Sequence, residues 1–409
     1  MSAKPPPSCP STQMPIAPRV LLWTDSDQFA GTERHLAELE KGLRRIGVPV
    51  MLACPPDTPL ARTVLENGGT IRPLSSRGAH ALTAVWRLRR WISCGEVNIL
   101  HAHNGRTALL GAIACERLSP GRLIASLHFI HPARTARQGW RKNLSQRMHA
   151  WLNSRVDAWI CVSEAVRLAA EKRGDIQGTP AFTVRNGLDE RVSERFENRP
   201  ELDPERVNLV CVARLAPEKG HVTLLEAFAD LGEQARGLTS LHLVGDGPLR
   251  AGLEARTREL GLEQSVRFWG HQPRAEPWIA ASDALILASP EEPFGMVLLE
   301  AMRESKPVIA ARAGGAREIV AEERSGLLFR PGDVGDLARQ IGRLAADSGL
   351  RWSLGQAGRE RWLTNFSLGA MSERVASIYR GMGSRSPSRR IGSSVLGRPW
   401  VSGSGGGVA

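Results

Sequence analysis

Apolar residues along this chain come in short solid runs, separated by stretches with helical spacing. The first run is RVLLWT at Arg19–Thr24. Solid runs of this length suit strands buried on both faces, whereas strict alternation would suit a half-exposed strand. Leu36, Leu39, Leu43 and Ile46 then recur every three or four residues, the mark of one helix face. Further strands are predicted at Val48–Cys54, Thr70–Pro73, Val97–Ala102, Leu123–Leu127, Ala158–Val162 and Phe182–Val184. Helices are predicted near Ala79–Ser93, Thr107–Arg117, Trp140–Asn153 and Glu164–Arg173. This alternation is that of a parallel sheet covered by helices.

The rhythm stops at Asn186-Gly187-Leu188-Asp189. Residues 191–206 are charged, carry Pro200 and Pro204, and have no apolar period, so they are expected to link two domains. A second series opens at Val207–Ala213. It continues at Leu241–Val244, Val266–Trp269, Ala284–Leu287, Pro307–Ala311 and Gly326–Phe329, with helices between. Helices near Leu350–Asn365 and Leu368–Met382 close it. The fold class expected is α/β, with two doubly wound Rossmann-like domains at residues 19–190 and 207–365. Residues 1–18 and 384–409 are rich in Pro, Ser and Gly and are expected to be disordered.

Composition narrows the class. The 409 residues suffice for two or three domains at about 150 residues each. No apolar run approaches the roughly 20 residues needed to cross a bilayer. The first 18 residues lack the apolar core of a secretory signal. Cys9, Cys54, Cys94, Cys115, Cys161 and Cys211 are scattered with no C-x-x-C pair, which speaks against disulfides and a zinc site. The expectation is a cytoplasmic protein, at most peripheral on a membrane.

Charge is uneven. The net charge is +12, with 24 basic and 15 acidic residues in 19–190 but 25 and 27 in 191–383. A basic first half favours an anionic partner: a phospholipid surface, an anionic glycolipid or nucleic acid. A merely solvated basic surface explains it equally. Trp140, Leu144, Met148 and Trp151 share a helical face, among Arg137, Arg141, Lys142, Arg147 and Arg155. That stretch reads either as a helix lying on an anionic membrane or as one packed on the sheet.

The candidate chemistry lies mostly in the second half. Ser289–Met302 is a Pro-rich acidic turn running into an apolar helix, with Glu292 in the turn and Glu300 about two turns on. A helix start offers unpaired N–H groups to phosphate or a sugar oxygen, and carboxylates beside it can accept from hydroxyls. A buried helix with a capping acid fits the same letters. In VARLAPEKG, Arg214 and Lys219 fall at the carboxyl end of a strand, where open α/β sheets bind ligands. Two cations there can neutralise a diphosphate. Gly245 and Gly247 in VGDGPLR let backbone approach a ligand closely. No G-x-x-x-x-G-K-[ST] loop occurs, which argues against a P-loop nucleotidase. His101, His103, His128 and His131 gather at strand ends in the first half. Asp25-Ser26-Asp27 has the form of a D-x-D metal motif but reads better as a loop turn.

Taken in order, VARLAPEKG, VGDGPLR, VRFWG, SPEEPFGMVLLEAM, PVIAARAGGAREIV and GLLFRPGD resemble the retaining glycosyltransferases of family 4 over about residues 19–382. That family has the GT-B fold, two Rossmann-like domains facing across a cleft. The family usually places two glycines before its first helix; here Gly31-Thr32-Glu33-Arg34-His35 keeps one. The resemblance implies a nucleotide-diphosphate sugar donor, a saccharide or lipid-linked acceptor, no cofactor and no metal. It implies donor binding by Gly31, Arg214, Lys219, Gly245, Gly247 and the Phe294-Gly295-Met296-Val297 segment, with Glu300 on the ribose. Glu292 and His128 would stand at the reacting sugar, and His103 and Asn104 on the acceptor side. The segment 366–383 would return to the first domain. Two other classes stay open: a non-catalytic sugar-nucleotide or glycan binder, and a basic nucleic-acid-binding protein, for which no recognisable module is present.

Overall fold

The computed structural model describes residues 17–115, 121–131, 140–190 and 200–383. The expected C-terminal tail, residues 1–16 of the N-terminal tail and residues 191–199 of the expected linker lie outside it. So do Arg137 and the side chains of Trp140, Arg141 and Lys142.

The first half runs β1 (Val20–Trp23), α1 (Gly31–Arg45), β2 (Val50–Cys54), α2 (Pro59–Glu66), β3 (Ile71–Pro73), α3 (His80–Ser93), β4 (Ile99–Ala102), α4 (Gly105–Ala114), β5 (Arg122–Leu127), α5 (Trp140–Asn153), β6 (Ala158–Cys161), α6 (Glu164–Lys172) and β7 (Ala181–Thr183). Its seven strands are parallel in the order β3-β2-β1-β4-β5-β6-β7. Every residue of β1, β4 and β6 is buried, as the solid runs predict. Val20 and Leu22 point to the layer that holds α1 and α2, Leu21 and Trp23 to that of α3 and α4. Helix α2 is an addition to the predicted set: Thr58 caps it from Ala61 N at 3.2 Å, and Pro59 opens it.

The second half runs β8 (Val207–Val212), α7 (His221–Ala229), α8 (Glu233–Gly237), β9 (Thr239–Val244), α9 (Arg250–Glu259), β10 (Val266–Gly270), α10 (Glu276–Ala281), β11 (Ala284–Leu287), α11 (Met296–Arg303), β12 (Val308–Ala311), α12 (Ala316–Ile319), β13 (Leu327–Phe329), α13 (Val334–Ala346), α14 (Ser348–Asn365) and α15 (Leu368–Gly383). Its strands are parallel in the order β10-β9-β8-β11-β12-β13. Buried Cys161 and Cys211 have their thiols pushed up to about 12 by burial, so they act as small apolar residues.

Each strand order reverses once, between β1 and β4 and between β8 and β11. Loops leaving the carboxyl ends of neighbouring strands diverge there and leave a crevice. Two chain crossings join the halves side by side. Leu188 N donates to Phe366 O at 3.0 Å, and Leu368 N donates to Leu188 O at 2.8 Å. A Cβ on Gly187 would lie 2.4 Å from Ser367 O, so this position needs glycine for close approach. Helix α15 then packs on α1, and its Tyr379 hydroxyl sits 2.7 Å from His101 Nδ1.

Candidate active site

The loops after β8 and β11 meet at the second crevice. A single turn at Pro217–Lys219 ends in Gly220 at φ 69°, where a Cβ would lie 2.3 Å from Ala288 O. That approach sets Lys219 beside the β11 loop, with Nζ 2.8 Å from Glu292 Oε2. Arg214 stays largely exposed and pairs with Glu218.

Helix α11 begins behind Gly295, whose φ of 101° no larger residue adopts easily, and no side chain caps it. Phe294 is buried and anchors the turn against Phe366, ring centroids 6.3 Å apart. Gly314 and Gly315 press on the same turn. A Cβ on Gly314 would lie 2.0 Å from Glu292 O, and Gly315 N donates to that oxygen at 2.8 Å. These glycines position Glu292, although only the family run PVIAARAGGAREIV contained them.

Gly245 and Gly247 also serve the packing of the loops. The close approach they permit is to the Arg214 loop: a Cβ on Gly245 would lie 2.0 Å from Ala213 O, and one on Gly247 2.5 Å from Leu215 O. Leu215 N donates to Asp246 O at 3.0 Å, locking the two loops together.

Helix α1 faces this assembly from the first half. Nothing lies within 4 Å of a Cβ on Gly31, so its first turn borders open space. One turn on, Arg34 Nε lies 3.2 Å from Glu300 Oε1, and its Nη2 contacts Glu276. Burial pushes the Glu300 carboxyl up, and Arg34 pulls against it. Burial also works against the charge on Arg34, but Glu300 and Glu276 outweigh it and hold the guanidinium protonated. Glu276 Oε2 is buried without a hydrogen-bond partner among the described residues, leaving an open acceptor there. Neither Arg34 nor Glu276 stood out in the sequence. They are 242 positions apart, and only the folded apposition of α1 and α10 reveals the pair.

The histidines sort themselves. His103 Nδ1 and His128 Nε2 are 3.2 Å apart, and His35 of α1 joins them edge-on at 5.3 Å from the His128 ring. His101 is structural, held by Tyr379 and by Ser126 Oγ at 2.8 Å. His131 stands apart on the surface, 2.8 Å from Glu291 across the halves. Burial depresses the others: His35 to about 4, His101 to about 3, and His103 and His128 well below the usual range. They are neutral at pH 7. Among the described residues, His35, His103 and His128 are the set whose ligand atoms lie close enough, within 4.8 Å, to hold a metal ion.

Asn104 serves the fold. Its side chain caps α4 from Thr107 N at 2.9 Å and donates to Asp25 Oδ1 at 2.7 Å. Its side-chain amide thus has partners within the first half. Asp25 also takes Ser76 and Arg106, while Asp27 takes Arg77, so the D-x-D stretch is a braced loop turn.

Two parallel α/β units with cations and carboxylates at opposed strand ends define the GT-B class. The chain belongs to the group 1, family 4 glycosyltransferases. A model described as "Glycosyl transferases group 1" matches residues 192–361, and one described as "Glycosyltransferase Family 4" matches residues 29–192. The lipopolysaccharide core biosynthesis glycosyltransferase LpsD of Rhizobium meliloti (strain 1021) is 37% identical over 178 residues, 43% of this chain and 50% of the relative. LpsE of the same strain is 33% identical over 165 residues, 40% and 47% of the two chains. The chain thus spans about half the length of these relatives. Among solved structures, Anabaena Alr3699/HepE in complex with UDP superposes at a TM-score of 0.73 with 23% identity, over 89% of this chain and 100% of that one.

Proposed function

We propose that this protein moves a sugar from a nucleoside-diphosphate sugar to a hydroxyl of a saccharide or lipid-linked acceptor, with retention at the anomeric carbon. Synthesis of a cell-surface polysaccharide, lipopolysaccharide or glycolipid is the setting that the names of the relatives favour. The observation that carries the reading is the Lys219–Glu292 pair at 2.8 Å, beside the uncapped start of α11 at the strand-order reversal.

The diphosphate lies against Arg214, Lys219 and the first amides of α11, which stabilise the negative charge that grows as the bond from the anomeric carbon to phosphate oxygen breaks. Glu292 accepts from the sugar hydroxyls once the diphosphate takes over Lys219. Glu300 accepts from the ribose. No carboxylate stands out as a nucleophile for a double displacement of the glycosidase kind. The acceptor oxygen therefore attacks from the face the diphosphate leaves, and its proton passes to the leaving phosphate oxygen. Neutral His128 holds a hydroxyl of the transferred sugar, and buried His103 supports it from behind.

The cation pair does the electrostatic work, so turnover is expected to be unchanged in excess chelator. Loss on chelation, with recovery on adding a divalent ion, would overturn that part and assign the His35–His103–His128 set a metal. The reaction is tested by mixing the protein with UDP-, GDP- and ADP-sugars and saccharide acceptors. Release of nucleoside diphosphate and the anomeric coupling of the product are then followed by NMR. Lys219→Ala should lower kcat about 10²- to 10³-fold. Undiminished turnover would contradict the assignment, and donor binding without turnover would make the protein a binder.

A further inference from the structure

The layer formed by α3, α4 and α5 buries Val85, Leu88 and Ile92 against the sheet and still leaves large apolar side chains on its outer face. On α5 the buried positions include Ser145, Leu152 and Asn153, while Leu144, Met148 and Trp151 face outward. Leu144, Met148 and Trp151 of the apolar stripe legible in the sequence therefore turn away from the sheet. On α3, Leu82 is 82% and Trp86 60% exposed. Between them α4 carries half-buried Leu109, Leu110 and Ile113, the last two packed against the core. Single exposed apolar residues are ordinary, but five large ones on two helices of one layer are a surface with a purpose.

Exposed Arg87, Arg89 and Arg90 of α3 and Arg147 of α5 stand among these apolar groups. Helices α3, α4 and α5 contain no Asp or Glu. The Arg90 guanidinium lies 5.8 Å from the Trp86 ring centroid and that of Arg155 5.2 Å from Trp151. Charged and apolar groups are thus interleaved at one depth.

We propose that this face docks on an anionic lipid bilayer. Leu82, Trp86, Leu144, Met148 and Trp151 enter the boundary between headgroups and acyl chains, and the arginines meet lipid phosphates. Other occupants fit worse. The chain's own tails, residues 1–18 and 384–409, are basic without a single acid and are repelled. A second copy meeting it about a two-fold axis would set arginine against arginine. Nucleic acid would satisfy the arginines but leave Leu82, Leu144 and Met148 against water. A bilayer satisfies both. Leu82 and Trp86 sit in the first half of a helix that leaves the carboxyl end of β3, the same end as the crevice loops. Half-exposed Phe129 follows His128 at that end. Docking therefore brings the crevice to the membrane surface, which, on the transfer reading above, is where a lipid-linked acceptor lies.

The test uses the full chain and sedimentation with vesicles of phosphatidylcholine, with and without a third of phosphatidylglycerol. It needs neither donor nor turnover, so it fails or succeeds independently of the transfer reaction. The protein is expected on the anionic vesicles only, less so as salt rises. The double variants Leu82→Asp/Leu144→Asp and Arg90→Glu/Arg147→Glu should each weaken binding about tenfold or more with unchanged thermal midpoints. Replacing the tail residues Arg385, Arg389, Arg390 and Arg398 by Ser should leave binding in place. The proposal is overturned by no anionic-vesicle binding, by binding that only the tail variant removes, or by face variants that keep full binding. It is equally overturned if the face variants dissolve a dimer or release a nucleic acid instead.

Discussion

At the scale of single residues, Arg34 connects the two halves of the candidate site. It belongs to the run Gly31–His35, in which the glycine alone stands out as a letter. Folding places its guanidinium between Glu300 and Glu276, two carboxylates from the other half. Arg34→Met would leave both acids buried without their cation. Breaking a buried pair from one side costs about 3–5 kcal/mol, so the urea midpoint should fall clearly. The double variant Arg34→Met/Glu300→Gln should recover part of that loss, because one stranded charge is gone. If Arg34→Met alone is neutral, the bridge does not bind the halves. The strand-end cations and the two glutamates were legible locally, since position after a strand and residue type suffice. Arg34 and Glu276 were not, because their meaning comes only from contact between the halves, nor was His35, which meets His103 and His128 only in the folded first half.

Elements were legible in proportion to how far their own pattern determined them. Solid apolar runs located the strands within a residue or two, since a strand buried on both faces leaves no other choice. Helix α2 was overlooked because eight residues offer little periodicity. Helix α5 was found at its true bounds, yet its facing could not be read: which side of a helix is buried depends on neighbours. The glycine loops show the reverse case. The letters around Gly245 suggest approach to a ligand, while its φ of 141° and 2.0 Å Cβ distance show an approach to the Arg214 loop that the letters do not reveal. Gly245→Ala should therefore destabilise by more than about 1 kcal/mol, from the strained dihedral together with the clash. It should also weaken donor binding by shifting Arg214. Chemical denaturation and calorimetric titration with the donor would separate the two effects, and an unchanged affinity would uncouple the loop from the site.

On the scale of the whole molecule, two parallel units meet through α1, α15 and the paired crossings at Leu188 and Ser367. The sequence marked the boundary near Asn186–Asp189 and, by resemblance, a return of 366–383, but not the pairing of Leu188 with Phe366 and Leu368, which needs both crossings in place. The assembly buries neutral histidines, and this has a pH signature. Their folded pKa values lie below the unfolded value near 6.5, at about 4 for His35 and about 3 for His101. Above pH 6.5 both states are neutral and nothing is gained or lost. As pH falls below 6.5, the unfolded chain takes up protons that the folded chain refuses. Stability then drops, by up to about 1.4 kcal/mol per pH unit for each such histidine, down to about pH 4. Denaturant midpoints between pH 7.5 and 4.5 should show this slope, and His101→Gln should flatten it. A flat profile would mean the histidines are accessible to water.

The central claim is that a nucleoside-diphosphate sugar binds where Lys219 meets Glu292. Its most direct test is the thermal midpoint of the protein and of Lys219→Ala with UDP-, GDP- and ADP-sugars. A ligand at a hundred times its Kd adds about 2.7 kcal/mol to folding. At least one of the sugars should therefore raise the midpoint of the unaltered protein, and that rise should largely vanish in Lys219→Ala. No shift with any nucleotide sugar, or an equal shift in the variant, would contradict the account.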